Sequence, residues 1–86
     1  MKQYEKILKA LANKRRLEII KYLKSNKKST VGDLATHLKL SFKSTSKHLA
    51  ILLSAEIVDK EQLNLFAIYS LVSKPDPISR TVISIV

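Results

Sequence analysis

The chain has 86 residues, among them 16 lysines and arginines against seven acidic residues, and a formal net charge of +9. A chain this short predicts a single domain, residues 1–86, that is marginally stable alone, and its charge predicts a polyanionic partner. The absence of cysteine excludes disulfides, thiolate metal sites and cysteine nucleophiles, and the single glycine excludes a glycine-rich phosphate loop.

The apolar runs of the chain are all short. None approaches the ~18 residues of a membrane span. Tyr4, Glu5 and Lys6 interrupt the segment in which a signal peptide would have its apolar core. We therefore expect a cytoplasmic protein without a membrane partner.

Two helices are predicted before residue 30. Apolar residues recur at helical spacing through residues 2–12. Asn13 is a candidate N-cap for a second helix. Its apolar face is formed by Leu17, Ile20 and Leu23, broadened by Ile19 and Tyr22. The polar run from Lys24 to Ser29 then predicts a loop.

Residues 30–55 predict a helix-turn-helix. Thr30 and Asp33 have the spacing of a capping box, in which each side chain accepts a hydrogen bond from the other residue's amide. The apolar residues Val31, Leu34, Ala35 and Leu38 then follow at i, i+3, i+4 and i+7. Ser41 provides a second N-cap, and Thr45 begins the inner face of the next helix.

The outer face of that second helix is polar and basic in its first two turns. Such side chains bond phosphates, donate to base edges and contact thymine methyl groups. The candidate DNA-contacting residues are Ser41, Phe42, Lys43, Ser44, Ser46, Lys47 and His48. Arg15 and Arg16, together with Lys14, are expected near the flanking backbone. The distribution of charge supports DNA binding by this segment, because residues 1–47 hold thirteen basic and three acidic residues.

A β-hairpin wing is predicted over residues 57–71. Its strands are residues 57–61 and 65–71, and Lys60 is its only basic residue and its candidate DNA contact. Because no glycine is available in the loop, Asn64 is expected to adopt a positive φ. Asp76 as N-cap and Pro77 at the first helical position predict a last helix, residues 77–86. The fold class is mainly α with a small β-hairpin, in the order α-α-α-α-β-β-α.

This order and four segments resemble the ArsR-type family of winged helix-turn-helix regulators. The segments are Leu8–Ile20 (LKALANKRRLEII), Thr30–Leu38 (TVGDLATHL), Ser46–Leu53 (SKHLAILL) and Tyr69–Leu71 (YSL). The resemblance spans residues 5–72. It implies a symmetric homodimer formed by the first and last helices, which binds an imperfect palindrome with residues 41–48 in the major groove.

The candidate dimer interface is apolar. Its residues are Tyr4, Leu8, Ile78, Val82, Ile85 and Val86. A small domain has little core for the stripe on the last helix to enter, and exposed stripes of this kind mark interfaces. The alternative is that the stripe folds back onto the first helix of its own subunit.

The chain departs from the family pattern at three places. Thr30 and Gly32 stand where metal-sensing members have a Cys-x-Cys pair, and the last helix offers only Asp76 as a ligand. His37 is interpreted as a solvated side chain, so we expect no metal and no cofactor. Glu56 stands where the family often has the glycine that ends the recognition helix in a left-handed turn.

The leading prediction is a sequence-specific regulator of transcription, a repressor, that binds double-stranded DNA as a homodimer. The alternative is an architectural or protein-interaction module that binds nucleic acid without sequence preference. An enzyme is not expected, because no nucleophile has an evident base. The effector is left open.

Overall fold

The computed structural model describes the backbone of residues 2–86 and the side chains of residues 4–86. The elements are α1 (Lys2–Leu11), α2 (Lys14–Asn26), β1 (Lys28–Thr30), α3 (Val31–Leu38), α4 (Phe42–Ser54), β2 (Val58–Leu63), β3 (Phe66–Leu71) and α5 (Pro77–Ile85). The predicted fold class, mainly α with a small β-hairpin, is confirmed. The structure adds one strand, β1, to the predicted order.

The strand β1 lies where a loop was predicted, so the prediction for Lys24 to Ser29 is wrong. Helix α2 continues to Asn26, and Lys28–Thr30 pairs antiparallel with β3 in a sheet of order β1-β3-β2. A strand of three polar or charged residues has no apolar alternation to reveal it. It forms because its backbone finds a partner about 40 residues further along the chain.

The hairpin has a shorter loop than predicted. Leu63 pairs with Phe66, so the strands extend to these residues and only Asn64 and Leu65 remain in the turn. Asn64 has a φ of 57°, as predicted for the residue that takes the place of glycine. Leu65, predicted as the first residue of the second strand, is instead 92% exposed at the tip.

The core lies between α2, α3 and α4 and is closed by the start of β2 and the middle of β3. Its fully buried apolar side chains include Ile19, Ile20, Leu23, Leu34, Leu49, Leu52 and Ile57, and Tyr69 joins them from β3. The predicted inner face of α2 is shifted, because Ile19 is fully buried and Leu17 is only half-buried.

All four predicted N-caps are present. The side chains of Asn13, Thr30 and Ser41 each accept a hydrogen bond from the backbone amide three residues later, at 3.0 to 3.1 Å. The Asp76 side chain accepts from two amides of α5. In the described part of the chain, however, the Thr30 amide makes no return bond to the Asp33 carboxylate. The capping box at α3 is therefore half formed.

Residues with positive φ follow three of the helices, and none of them is glycine. Positive φ angles occur at Lys27, Lys39, Glu56 and Asn64. Glu56 has a φ of 59°, and the amides of Glu56 and Ile57 bond Leu53 and Leu52 at 3.0 Å, which is a Schellman motif. Helix α4 thus ends in the left-handed turn that glycine usually provides, and adopting it with glutamate costs about 1 kcal/mol.

The stripe on α5 is partly used inside the subunit. Ile78, Val82 and Val86 pack against the core, so the expectation that they find little intramolecular core is wrong for these three. Helix α5 lies against α1 and α2, which supply that surface. Ile85 remains 75% exposed, and Tyr4 and Leu8 are exposed on α1. No helix in residues 2–86 is long and apolar enough to span a membrane.

Candidate nucleic-acid interface

The start of α4 is held by two hydrogen bonds to Ser41. The Ser44 amide donates to the Ser41 hydroxyl at 3.0 Å, and the Thr45 hydroxyl donates to the Ser41 carbonyl at 2.9 Å. Lys39, in the left-handed conformation, turns the chain between α3 and α4. The first turn of α4 is therefore ordered by its own cap, and its recognition surface begins at a defined residue.

The predicted contact residues of α4 share one surface. Ser41, Phe42, Lys43 and Lys47 are exposed, whereas Ser44, Ser46 and His48 are half-buried. Phe42 is 64% exposed at the first position of the helix. This surface combines two cations, three hydroxyls, an imidazole and an apolar ring, which can contact phosphates, base edges and methyl groups.

Lys60 lies apart from these residues on β2. It is exposed and pairs with Tyr69 of β3, so its position is that of a wing residue. Its neighbours Asp59 and Glu61 are acidic. The wing therefore has little positive charge to offer a phosphate backbone.

The two arginines at the start of α2 have different surroundings. Arg15 donates to Glu18 at 3.1 Å in a partly exposed ion pair on the surface of α2. Arg16 donates to the carbonyl oxygens of Ala10 at 2.6 Å and Lys9 at 3.1 Å. These carbonyls belong to the last turn of α1 and have no partner within the helix, so the Arg16 guanidinium caps α1.

Arg16 also reaches the recognition helix. Its Nη1 atom lies 3.2 Å from Nδ1 of His48. Burial, and then the positive charges of Arg16 and Arg15, lower the pKa of His48 below its ordinary 6.5. His48 is therefore neutral at pH 7, and its Nδ1 atom accepts the hydrogen bond, because a guanidinium can only donate.

Sequence reasoning missed this contact. The two residues are 32 positions apart, and no spacing rule within a single helix relates them. It also missed an apolar surface at the wing tip, where Leu65 and Phe66 line a groove of about 340 Å³ together with Phe42. The available signal was that the turn is apolar at three of four positions, Leu63, Leu65 and Phe66 around Asn64.

No group of three or more histidine, aspartate or glutamate side chains capable of holding a metal occurs in the part of the chain that the structure describes. The His37 ring instead lies beside that of Tyr22, with centroids 4.6 Å apart and ring planes tilted by 49°. The acidic group of α5, Asp76, is used as a helix cap.

A capped recognition helix, its supporting helix α3 and a sheet ending in a hairpin define a winged helix-turn-helix domain. The model of the arsR family of bacterial regulatory proteins matches residues 13–60. The chain belongs to this family, as the resemblance of its segments indicated.

Similar proteins include both a repressor and an activator of transcription. The arsenical resistance operon repressor of Bacillus subtilis is 37% identical over 71 residues, which are 83% of this chain and 68% of that protein. The transcriptional activator HlyU of Vibrio cholerae is 40% identical over 67 residues, 78% of this chain and 61% of HlyU.

Solved structures agree with the fold. Reduced HlyU from Vibrio cholerae matches with a TM-score of 0.80 and 33% identity, over 95% of this chain and 82% of that chain. A homodimeric winged helix-turn-helix DNA-binding domain from Mycobacterium bovis matches with a TM-score of 0.82 and 24% identity, over 96% of this chain and 73% of that chain. The second likeness concerns the fold alone.

Proposed function

We propose that this protein is a transcriptional repressor that binds a palindromic operator in double-stranded DNA as a homodimer, in the bacterial cytoplasm. The observation that carries the proposal is the surface of α4, whose first two turns are capped, basic and accessible. Membership of the arsR family supports DNA binding, and similarity to an arsenical resistance operon repressor supports repression. The protein acts in this scheme by occupying DNA, without catalysis.

Base reading is assigned to the outer surface of α4. Lys43 and Lys47 are exposed cations that contact phosphate or the acceptors of guanine, and the hydroxyls of Ser44 and Ser46 donate beside them. Arg15 contacts the flanking backbone, for which it exchanges its exposed bond to Glu18. Lys60 contributes less than Lys47, because two acidic neighbours oppose its charge.

The homodimer is assigned to the apolar surface that α1 and α5 leave open. Leu8 and Ile85 are its most exposed members, and Tyr4 extends it. The Mycobacterium bovis domain of the same fold is described as homodimeric, which supports a similar assembly here. A two-fold symmetric dimer presents two copies of α4, and two such helices match the half-sites of a palindrome.

The dimer is tested by placing a charge at an interface position that lies outside the core of the subunit. Val82 is unsuitable, since it packs on its own core and its replacement by aspartate would unfold the subunit. Ile85→Asp should give a folded monomer in sedimentation velocity, and Ser84→Asp, a matched charge on the neighbouring exposed residue, should remain a dimer. A dimeric Ile85→Asp variant would refute this interface.

Sequence specificity is tested by selecting bound duplexes from random DNA and titrating the best one against random duplex. Specific regulators prefer their sites by about 10³-fold or more at physiological salt. A preference below about tenfold would instead support a module that binds nucleic acid without sequence preference. In vitro transcription from a promoter that carries the selected site should decrease when the protein is added, and an increase would reverse the proposed direction of regulation.

A further inference from the structure

The bond between Arg16 and His48 connects the DNA-reading helix to the rest of the subunit. Arg16 uses three of its N–H groups on three acceptors: the carbonyls of Lys9 and Ala10 and the imidazole of His48. The guanidinium is planar and rigid, so these three bonds fix its orientation. The Nδ1 edge of the His48 ring is thereby held in place from outside α4.

We propose that Arg16 is a positioning residue that holds His48 as the tautomer protonated at Nε2, and that this N–H donates to an acceptor on the bound duplex. The inference rests on the proposed function and names a donor within the same interface. Because Arg16 only donates, Nδ1 of His48 must carry a lone pair, and the single proton of the neutral ring resides on Nε2.

The acceptor on the duplex is an oxygen atom or an aromatic ring nitrogen. In the major groove these are N7 and O6 of guanine, N7 of adenine and O4 of thymine, and on the backbone they are phosphate oxygens. A base acceptor makes His48 a specificity-determining residue, because cytosine presents a donor at N4 and would be rejected. A phosphate acceptor makes it a register contact.

This arrangement changes the role of Arg16. The sequence predicted it as a phosphate contact, but its fork is directed at the end of α1 and at α4. Arg15, the adjacent residue with the same charge, bonds Glu18 and makes no hydrogen bond to His48. The chain therefore contains a matched control, in which Arg15→Gln and Arg16→Gln remove the same charge from neighbouring positions.

The first test is made on the free protein. Long-range ¹H–¹⁵N spectra of the imidazole groups at pH 7.5 should show His48 as the Nε2–H tautomer, and Arg16→Gln should give a mixture of tautomers. Arg15→Gln and His37→Ala should leave His48 as the Nε2–H tautomer. A wild-type His48 protonated at Nδ1 would overturn the inference, whatever the protein does to DNA.

The second test uses the selected duplex and does not need the Arg16 variant to fold. His48→Ala should weaken binding about tenfold, whereas His37→Ala should have no effect. If Arg16→Gln is folded by circular dichroism, it should lose a similar factor, and the double variant should lose no more than His48→Ala alone. Additive losses would show that Arg16 contacts DNA itself and would overturn its positioning role.

The acceptor is identified by modified duplexes. If it is a purine N7, 7-deazapurine at one site should abolish the difference between wild type and His48→Ala; if it is a phosphate, a methylphosphonate linkage should do so. If wild type prefers the selected duplex and His48→Ala binds that duplex with the same affinity as wild type, the inference is overturned and the proposed function stands. A wild-type protein without any preference would refute the proposed function while the tautomer result stands.

Discussion

The buried hydroxyl of Thr45 donates to the carbonyl of Ser41 at 2.9 Å, so a fully buried polar group of α4 is satisfied by the residue that caps this helix. The Ser41 side chain at the same time accepts from the Ser44 amide. Ser41 is thus a structural residue as well as a candidate DNA contact.

Ser41→Ala should lower the free energy of unfolding by about 1 kcal/mol, because an amide of the first turn loses its acceptor. Urea unfolding at fixed protein concentration measures this, with Ser73→Ala at an exposed position as the control. Ser41→Asp should retain the cap yet weaken DNA binding through its charge. Equal stability of wild type and Ser41→Ala would contradict the role of the cap.

Asp76 predicts an acid-dependent loss of stability. Burial acts to raise the pKa of Asp76, but hydrogen bonds from Ser79 and Ile78 outweigh it and lower the pKa below 3.8. A carboxylate with a lowered pKa stabilises the fold fully above its unfolded pKa, near 3.8, and this contribution disappears as the pH falls through the folded pKa.

Asp76→Ala should therefore cost about 1 to 2 kcal/mol at pH 7, since it also leaves the buried Ser79 hydroxyl without its acceptor at 2.6 Å. The cost should shrink when unfolding is measured below pH 4. Asp76→Asn should preserve part of the cap and remove this pH dependence. A constant difference between wild type and Asp76→Ala from pH 7 to pH 3 would be inconsistent with the mechanism.

Glu56 predicts a stabilising substitution. Its φ of 59° disfavours any residue with a Cβ atom, so Glu56→Gly should raise the free energy of unfolding by about 1 kcal/mol. Glu61→Gly removes the same charge from a residue of β2 and should be destabilising, because glycine weakens a strand. If both substitutions destabilise, the left-handed conformation is not what limits stability at the end of α4.

His48 predicts a second pH effect, of the same sign as that of Asp76 but at a higher pH. The pKa of His48 is lowered in the folded protein by burial and by Arg16 and Arg15, so the unfolded chain binds the proton more tightly. Stability should decrease as the pH falls below about 6.5, the ordinary value, and level off below the folded pKa. Comparison of wild type with His48→Gln between pH 7.5 and pH 5 isolates the effect, because His37 is present in both.

Metals provide a prediction that separates this chain from metal-sensing relatives. Zinc, cadmium or arsenite should leave the affinity for the selected duplex unchanged, because the chain has no cysteine and its family sites lack their ligands. Titrations with and without stoichiometric metal measure this. A reproducible change that His37→Ala abolishes would show that His37 binds a metal.

Local features of this fold were predictable, and features that depend on a distant partner were not. The caps at Asn13, Ser41 and Asp76 follow from side chains acting within one turn, and the left-handed Asn64 follows from a short loop without glycine. By contrast, β1 exists only through its pairing with β3.

The candidate site shows the same division. The polar surface of α4 could be predicted because helical periodicity alone assigns Lys43 and Lys47 to the outside. The direction of the Arg16 side chain could not, since it depends on where α1 ends and how α4 crosses it. The packing of Val82 was likewise decided by the placement of α5 on α1 and α2.

The central position of β3 has a mechanical consequence. One edge of β3 carries the wing strand β2, and the other carries β1, whose last residue, Thr30, is the N-cap of α3. The hairpin therefore does not move independently of the helices. A force that lifts it from a duplex is transmitted through backbone hydrogen bonds to the first turn of the helix-turn-helix. Wing and helices should engage and leave DNA as one rigid body.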